Sequence, residues 1–512
     1  MPTRSTTVLG EYVEYSLSNS SYSGNPFDLV ARATFSHSSS GDSITTGMFY
    51  AGNNTWKFRF TATRAGSWSF STSSSDGDLG GHTGTVNASS SSGKPGFVGK
   101  SGSTWIRTGT GKAFVPQFVM AAGPHYYFNN QSRINSAVST FINQHGFTGL
   151  HVPVFCRWFD LNQSACNSVS STNPDQDTFA ALEDLISTIY DAGGTVHLWA
   201  WGDSSRRQNP DFLPSESGQN GTADRRLQRY IAARLGPLPG WTMGYGFDLF
   251  EWTNGSKLAD WRNRLRSEMG WDHYLGARSS KNQLDQLSEA MDYSGYEQHQ
   301  PDYAKYVETI TRRSSKPSFS EDRFRYRGNS QRSKDYTFVE MRRGMWHSAM
   351  AGGVANIWGN LTDGSNNYLT AINDGVEPSR SFPDIAWVKT NSRFFEDRFV
   401  TGMQRCSYGS GSVRCLRAPQ NGPIYFYAEG VSSISVNLPS DSNSYSVKAV
   451  RTTASYSESS LATVGPGSQS ISLPSSSDWA VIVAPGSGSG GSNDPPDEVP
   501  PAAPENLQLS IP

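Results

Sequence analysis

The chain has 512 residues, of which 17% are charged, with a formal net charge of -2. That balance offers no global field for nucleic acid or an anionic membrane surface, and no apolar run is long enough to span a bilayer. The length points to three or four domains, while 50 Gly and a Ser-rich character point to many turns and much β-structure.

Residues 1–97 read as a β-sandwich. "NTWKFRFTATRAGSWSFSTSS" alternates apolar and polar residues with period two, and "SDGDLGG" follows as a turn. Asp76 and Asp78 in that turn could bind calcium, but turn chemistry accounts for them. Residues 98–395 change pattern. "AFVPQFVMAAG", "GLHVPVFCRWFD", "TVHLWAWGD", "WTMGYGFDLFEW", "YLGARSS", "MDYSGYEQH", "KPSFSEDRFRYRG" and "VANIWGN" are short apolar strands. Helical stretches separate them, "NQLDQLSEA" after the fifth among them, and another is expected after the eighth. Eight strand–helix alternations over about 300 residues predict a (β/α)8 TIM barrel. An open doubly wound sheet would need a glycine-rich phosphate turn after its first strand, and there is none.

Residues 396–485 return to alternating strands and predict a C-terminal antiparallel β-sandwich. Residues 486–504 form a Gly/Ser/Pro linker, and 505–512 resemble the stub of a further module. The four cysteines fall into two close pairs, Cys156 with Cys166 and Cys406 with Cys415. Disulfides and an oxidising compartment are expected, free thiols being the alternative. "MPTRSTTVLGEY" lacks an apolar leader core, so a secretory leader is absent or already removed. A secreted monomer is expected, with neither a metal nor a cofactor, because no Cys/His cluster has zinc-ligand spacing.

In such barrels the chemistry gathers at the C-terminal ends of the strands. The first strand ends in His125 and Tyr126, the second in Arg157 and Asp160, and the third in Trp199, Trp201 and Asp203. The fourth brings Asp248 and Glu251, the fifth Arg278, and the sixth Tyr296 and Glu297. The seventh brings Glu321, Asp322 and Arg323, and the eighth Trp358 and Asn360. Carboxylates among arginines and aromatics suit glycosidic-bond hydrolysis, where one carboxylic acid protonates the leaving oxygen and a second carboxylate attacks or activates water.

With these residues in view, the chain resembles the clan A glycoside hydrolases. "KPSFSEDRF" is similar to their seventh-strand nucleophile segment, which gives Glu321 the nucleophile role. "VANIWGN" is similar to their eighth strand, whose Trp floors the sugar subsite, a role that falls on Trp358. Arg157 stands where the group often carries an arginine beside the nucleophile. The flanking modules resemble those around apiosidase-like barrels in secreted polysaccharide-degrading enzymes. The resemblance implies retention of anomeric configuration; endo action on a polysaccharide is expected.

The departure lies in "WTMGYGFDLFEW": positions expected to hold Asn-Glu hold Gly246 and Phe247. Glu251 is the preferred replacement acid, since Trp252 beside it would supply an apolar wall, and Asp248 is second. Glu297 and Asp203 are alternatives, as is a barrel that binds without cleaving. Arg323, Arg325 and Arg327 alternate after Glu321 and join Arg157 and Arg278, which points to a sulfated or uronate-bearing polysaccharide. The bland reading pairs them with Asp322 and Glu340. A lyase using Tyr296 or His125 as base on a uronate is the rival activity, and a non-catalytic glycan-binding protein is the third possibility.

Overall fold

A computed structural model describes residues 1–90, 93–215, 218–281, 283–326, 335–359 and 385–486; the side chains of Lys281, 323–326 and 335–336 lie outside that description. The N-terminal domain has a five-stranded sheet and a three-stranded sheet, the latter made of Val13–Ser18, Thr55–Phe60 and Phe49–Tyr50. The period-two pattern builds it: along Gly66–Ser74, Trp68, Phe70 and Thr72 are buried while Ser69, Ser71 and Ser73 face water. Tyr15, Phe35, Phe58 and Phe60 complete the core. The turn reading of Asp76 and Asp78 matches the structure, where Asp76 Oδ1 accepts from the Asp78 amide at 2.9 Å.

The central domain is a parallel barrel. Its strands are Gln117–Met120, Gly149–Pro153, Thr195–Trp201, Trp241–Gly246, a fifth split at Ala277 into Leu275–Gly276 and Arg278–Lys281, Ser294–Glu297, Ser318–Tyr326 and Ala355–Gly359. The hydrogen-bonded path starts on one half of the split strand and ends on the other, so the ring closes through it. These strands are buried on both faces, between an interior and an outer ring of helices, and therefore read as unbroken apolar runs. A hairpin of Val98–Ser101 and Thr104–Arg107 plugs the base: Trp105 packs on Tyr274, Tyr293 and Phe319, and its Nε1 donates to Ser318 O at 3.3 Å.

The helix after the eighth strand is present as Ile385–Phe395, but the expected helix over "NQLDQLSEA" is not. Its described residues form an irregular stretch at 283–285 and a turn at 286–290. Asp285 is the cause: its carboxylate accepts from the amides of Ser280 at 3.0 Å and Leu287 at 2.9 Å. Such local capture of backbone donors competes with helix hydrogen bonds.

The C-terminal domain is antiparallel, and one continuous six-stranded sheet supplies its layers. Its long strands, Ile424–Leu438 and Gly467–Pro485, pair through register shifts between Ala428 and Ser433. Both halves of the first consequently feed one apolar cluster, with Ile424 and Phe426 meeting Ile434 and Val436. The outer face, with Tyr425, Tyr427 and Ile482, packs on Trp346, Phe394 and Phe395 of the barrel helices. Both cysteine pairs are bonded, with Cα separations of 4.9 Å for Cys156–Cys166 and 5.0 Å for Cys406–Cys415. The expected linker and stub fall at 487–512, outside the described residues.

Candidate active site

Which way each strand-end side chain points decides what the mouth contains. On the sixth strand Gly295 faces the interior, since a Cβ there would lie 2.8 Å from Glu321 Oε2. Tyr296 therefore faces out. It is fully buried against the helical shell, and its hydroxyl reaches Thr309 on helix Tyr303–Arg312. Tyr296 is thus no substrate-binding residue. Trp358 is corrected in the same way. Its Nε1 donates to Gln117 Oε1 at 2.7 Å, and its ring backs onto Gly344 of helix Phe338–Met350, where a Cβ would come within 3.1 Å. It lies between strand and helix and cannot floor a sugar subsite. Trp201 is also closed off, packed beside Phe159 with almost no exposed surface.

Trp199 faces inward and is wholly buried, so it offers no open face for stacking. Its indole instead donates from Nε1 to Glu321 Oε1 at 3.2 Å. His197 Nε2 lies 3.3 Å from the same oxygen, and its Nδ1 is 2.9 Å from Thr242 Oγ1. Glu321 is itself fully buried, with the Tyr293 hydroxyl beside its carboxylate. Gly244 makes room for this carboxylate: a Cβ there would sit 1.6 Å from Oε1. Burial and the neighbouring Glu321 carboxylate raise the Tyr293 phenol well above its ordinary range.

At the mouth, Arg278 gathers the carboxylates. Its NH2 lies 2.6 Å from Asp248 Oδ1 and 3.2 Å from Glu297 Oε2, and its NH1 lies 3.0 Å from Asp322 Oδ1. Burial works against the guanidinium charge, yet Asp322, Glu297, Asp248 and Glu321 together hold its pKa above the usual value. His299 takes the outer oxygens, with Nε2 at 2.5 Å from Glu297 Oε1 and 3.8 Å from Asp322 Oδ2. Glu297, His299 and Asp322 present ligand atoms within 4.8 Å of one another and are the described group that could hold a cation. Arg278 already supplies positive charge there. Sequence reasoning passed over His299, whose only signal was its place two residues after Glu297.

Asp248 holds the left-handed conformation at φ 52°, which turns its side chain, 34% exposed, toward Arg278. Burial raises its pKa; Arg278 pulls the other way, and Glu297, Asp322 and Asp203 add to the rise. Glu251 lies on the outside of the turn Leu249–Glu251 and is exposed. Partial burial and then Asp248 and Asp203 raise its pKa. The expected Trp252 wall is directed elsewhere, because that indole packs against Tyr245, 5.5 Å between rings. Phe250, 57% exposed, is the most exposed large apolar side chain among the described residues.

Asp203 serves its own loop, accepting from Ser205 Oγ at 2.9 Å and from the Arg206 amide at 2.7 Å. Arg157 is buried close to His125, whose pKa falls to about 4 through burial and then the charges of Arg157 and Arg133. Glu340 closes a capping box with Thr337. The Arg323 and Arg325 side chains, Arg327 and Asn360 lie outside the described residues.

A family model described as a domain of unknown function, DUF5060, matches residues 11–75. No curated protein matches the chain. Among solved structures, a Bacteroides vulgatus protein assigned as a glycoside hydrolase superposes with a TM-score of 0.73 at 16% identity, covering 95% of this chain and all of its own. A family 5 glycoside hydrolase from Bacteroides vulgatus gives 0.57 at 12% identity, over 77% of this chain and 93% of its own. Another glycoside hydrolase gives 0.56 at 11%, over 76% and 97%. At such identities the likeness is one of fold: a TIM barrel carrying β-domains on both sides.

Proposed function

We propose that the protein is a glycoside hydrolase acting on a polysaccharide through two carboxylates, with Asp248 as the acid and Glu321 as the nucleophile. The observation that carries this reading is the Arg278 cluster, which holds Asp248, Glu297 and Asp322 at the C-terminal mouth of the barrel and feels the charge of Glu321. Asp248 is preferred over Glu251 because it is half-enclosed within the cluster and its pKa is raised, the state a proton donor needs. For Glu321, Trp199 and His197 hold one carboxylate oxygen in place. Retention, endo action, secretion and a monomeric state complete the proposal. Arg278 is saturated by the protein's own carboxylates, so the anionic-substrate reading rests on the arginines after Glu321.

The experiment is a screen of the purified protein on neutral, sulfated and uronate polysaccharides, reading reducing ends and absorbance near 235 nm together. New reducing ends without absorbance are expected, and Glu321→Gln should lower turnover by several orders of magnitude in a folded protein. If Glu321→Gln stays within tenfold of wild type while Asp322→Asn abolishes turnover, the nucleophile is Asp322. Absorbance rising with the reducing ends would mean elimination. That reading is disfavoured by Tyr296 facing the helices and by the weak basicity of His125.

A further inference from the structure

At the N-terminal ends of the strands, opposite the Arg278 mouth, a groove of about 640 Å³ runs between the plug hairpin and helix Ile385–Phe395. Arg107, Lys112, Phe114, Phe147 and Lys389 are among its lining residues. Arg107 is 7% exposed, and its guanidinium lies over the Phe114 ring at 4.0 Å. It donates from NH1 to Thr195 Oγ1 and from NH2 to Gly193 O at 3.3 Å, both uncharged acceptors.

Other arginines buried to the same degree set the standard. Arg59 and Arg234 pair with Glu183, Arg226 with Asp28, Arg278 with Asp248 and Arg342 with Asp478. Arg107 has no carboxylate within ion-pair distance among the described residues. Burying a guanidinium without counter-charge is costly. Burial lowers its pKa to about 10, which still leaves it charged at neutral pH. Lys389 adds a second cation, spending a hydrogen bond on the neutral Asn143 O at 2.9 Å, whereas Lys112 is paired with Asp397 at 3.2 Å.

We propose that this groove is an oxyanion-binding site, in which Arg107 and Lys389 grip a sulfate, a phosphate or the carboxylate of an acidic sugar. A guanidinium with spare N–H donors suits such planar or tetrahedral oxygens. The site is separate from the catalytic mouth and does not depend on the hydrolase reading.

The test is isothermal titration of the whole protein with sodium sulfate and, separately, sodium glucuronate, at ionic strength held constant with NaCl. Saturable binding of sulfate alone would identify a free inorganic anion as the occupant, and tighter binding of glucuronate a sugar-borne carboxylate. Arg107→Met should abolish the binding and Lys389→Gln should weaken it about three- to tenfold. No saturable binding to wild type, or equal affinity in wild type and Arg107→Met, overturns the proposal. Should Arg107→Met fail to fold, unchanged affinity in Lys389→Gln overturns it instead.

Discussion

Asp248 is held where its protonation can be read out directly. Its pKa is raised in the fold, chiefly by burial. In the proposed acid role it must carry its proton, so activity should fall as pH rises through that raised value. Asp248→Asn should remove the alkaline limb and hurt substrates with poor leaving groups more than activated aryl glycosides, which pH profiles of kcat/KM would reveal. Equal loss on both substrates would point away from an acid role. Phe250, standing in solvent two residues further on, presents an aromatic face beside this acid. Phe250→Ala should raise KM for polymer several-fold and leave kcat on a small aryl glycoside unchanged. Such residues were only partly legible in the sequence. Asp248 and Glu251 were found together, but their ranking depended on where Trp252 packs, and that is set by Tyr245. Tyr296 and Trp358 were placed at the mouth because a strand buried on both faces gives no periodic sign of which residue faces in. The partners of Arg278 come from three separate strand ends, and no local spacing announces them.

Among the elements, helix Thr222–Arg234 carries a pH-sensitive group in its first turn. Asp224 is fully buried, and burial raises its pKa to about 6 despite the Asn220 amide that it accepts from. The folded state thus holds its proton more tightly than the unfolded chain. This contribution is present at low pH and is lost as pH rises between about 4 and 6, worth up to about 3 kcal/mol. Asp224→Asn should be more stable than wild type at pH 7 and nearly equal to it at pH 4, by urea unfolding at the two pH values. Gly244 tests the fourth strand. Gly244→Ala drives a methyl into Glu321 and should cost about 1–3 kcal/mol as well as activity. Strands and most helices were readable because apolar runs and amphipathic stretches follow from burial. The missing fifth helix was not, because Asp285 looks like an ordinary helix residue until its side chain takes two backbone amides and its own amide goes to Ser279 Oγ of the strand before it.

At the scale of the whole molecule, buried ion pairs tie the domains together. Arg59 of the N-terminal sandwich bonds Glu183 of the barrel at 2.7 Å, and Arg342 of helix Phe338–Met350 bonds Asp478 of the C-terminal sheet at 2.7 Å. Asp478→Ala leaves Arg342 buried and uncompensated, a loss of about 3–5 kcal/mol. Earlier proteolysis between barrel and C-terminal sheet, at unchanged early-stage N-terminal cleavage, would register it.

The outward face of that sheet covers Trp346, Phe394 and Phe395, so the helices beneath present aromatic rather than charged surfaces to it. A protein built this way is not a cassette. Residues 98–395 cut free would carry a greasy flank and aggregate, and a swap onto foreign partners would have to bring the matching tyrosines with it.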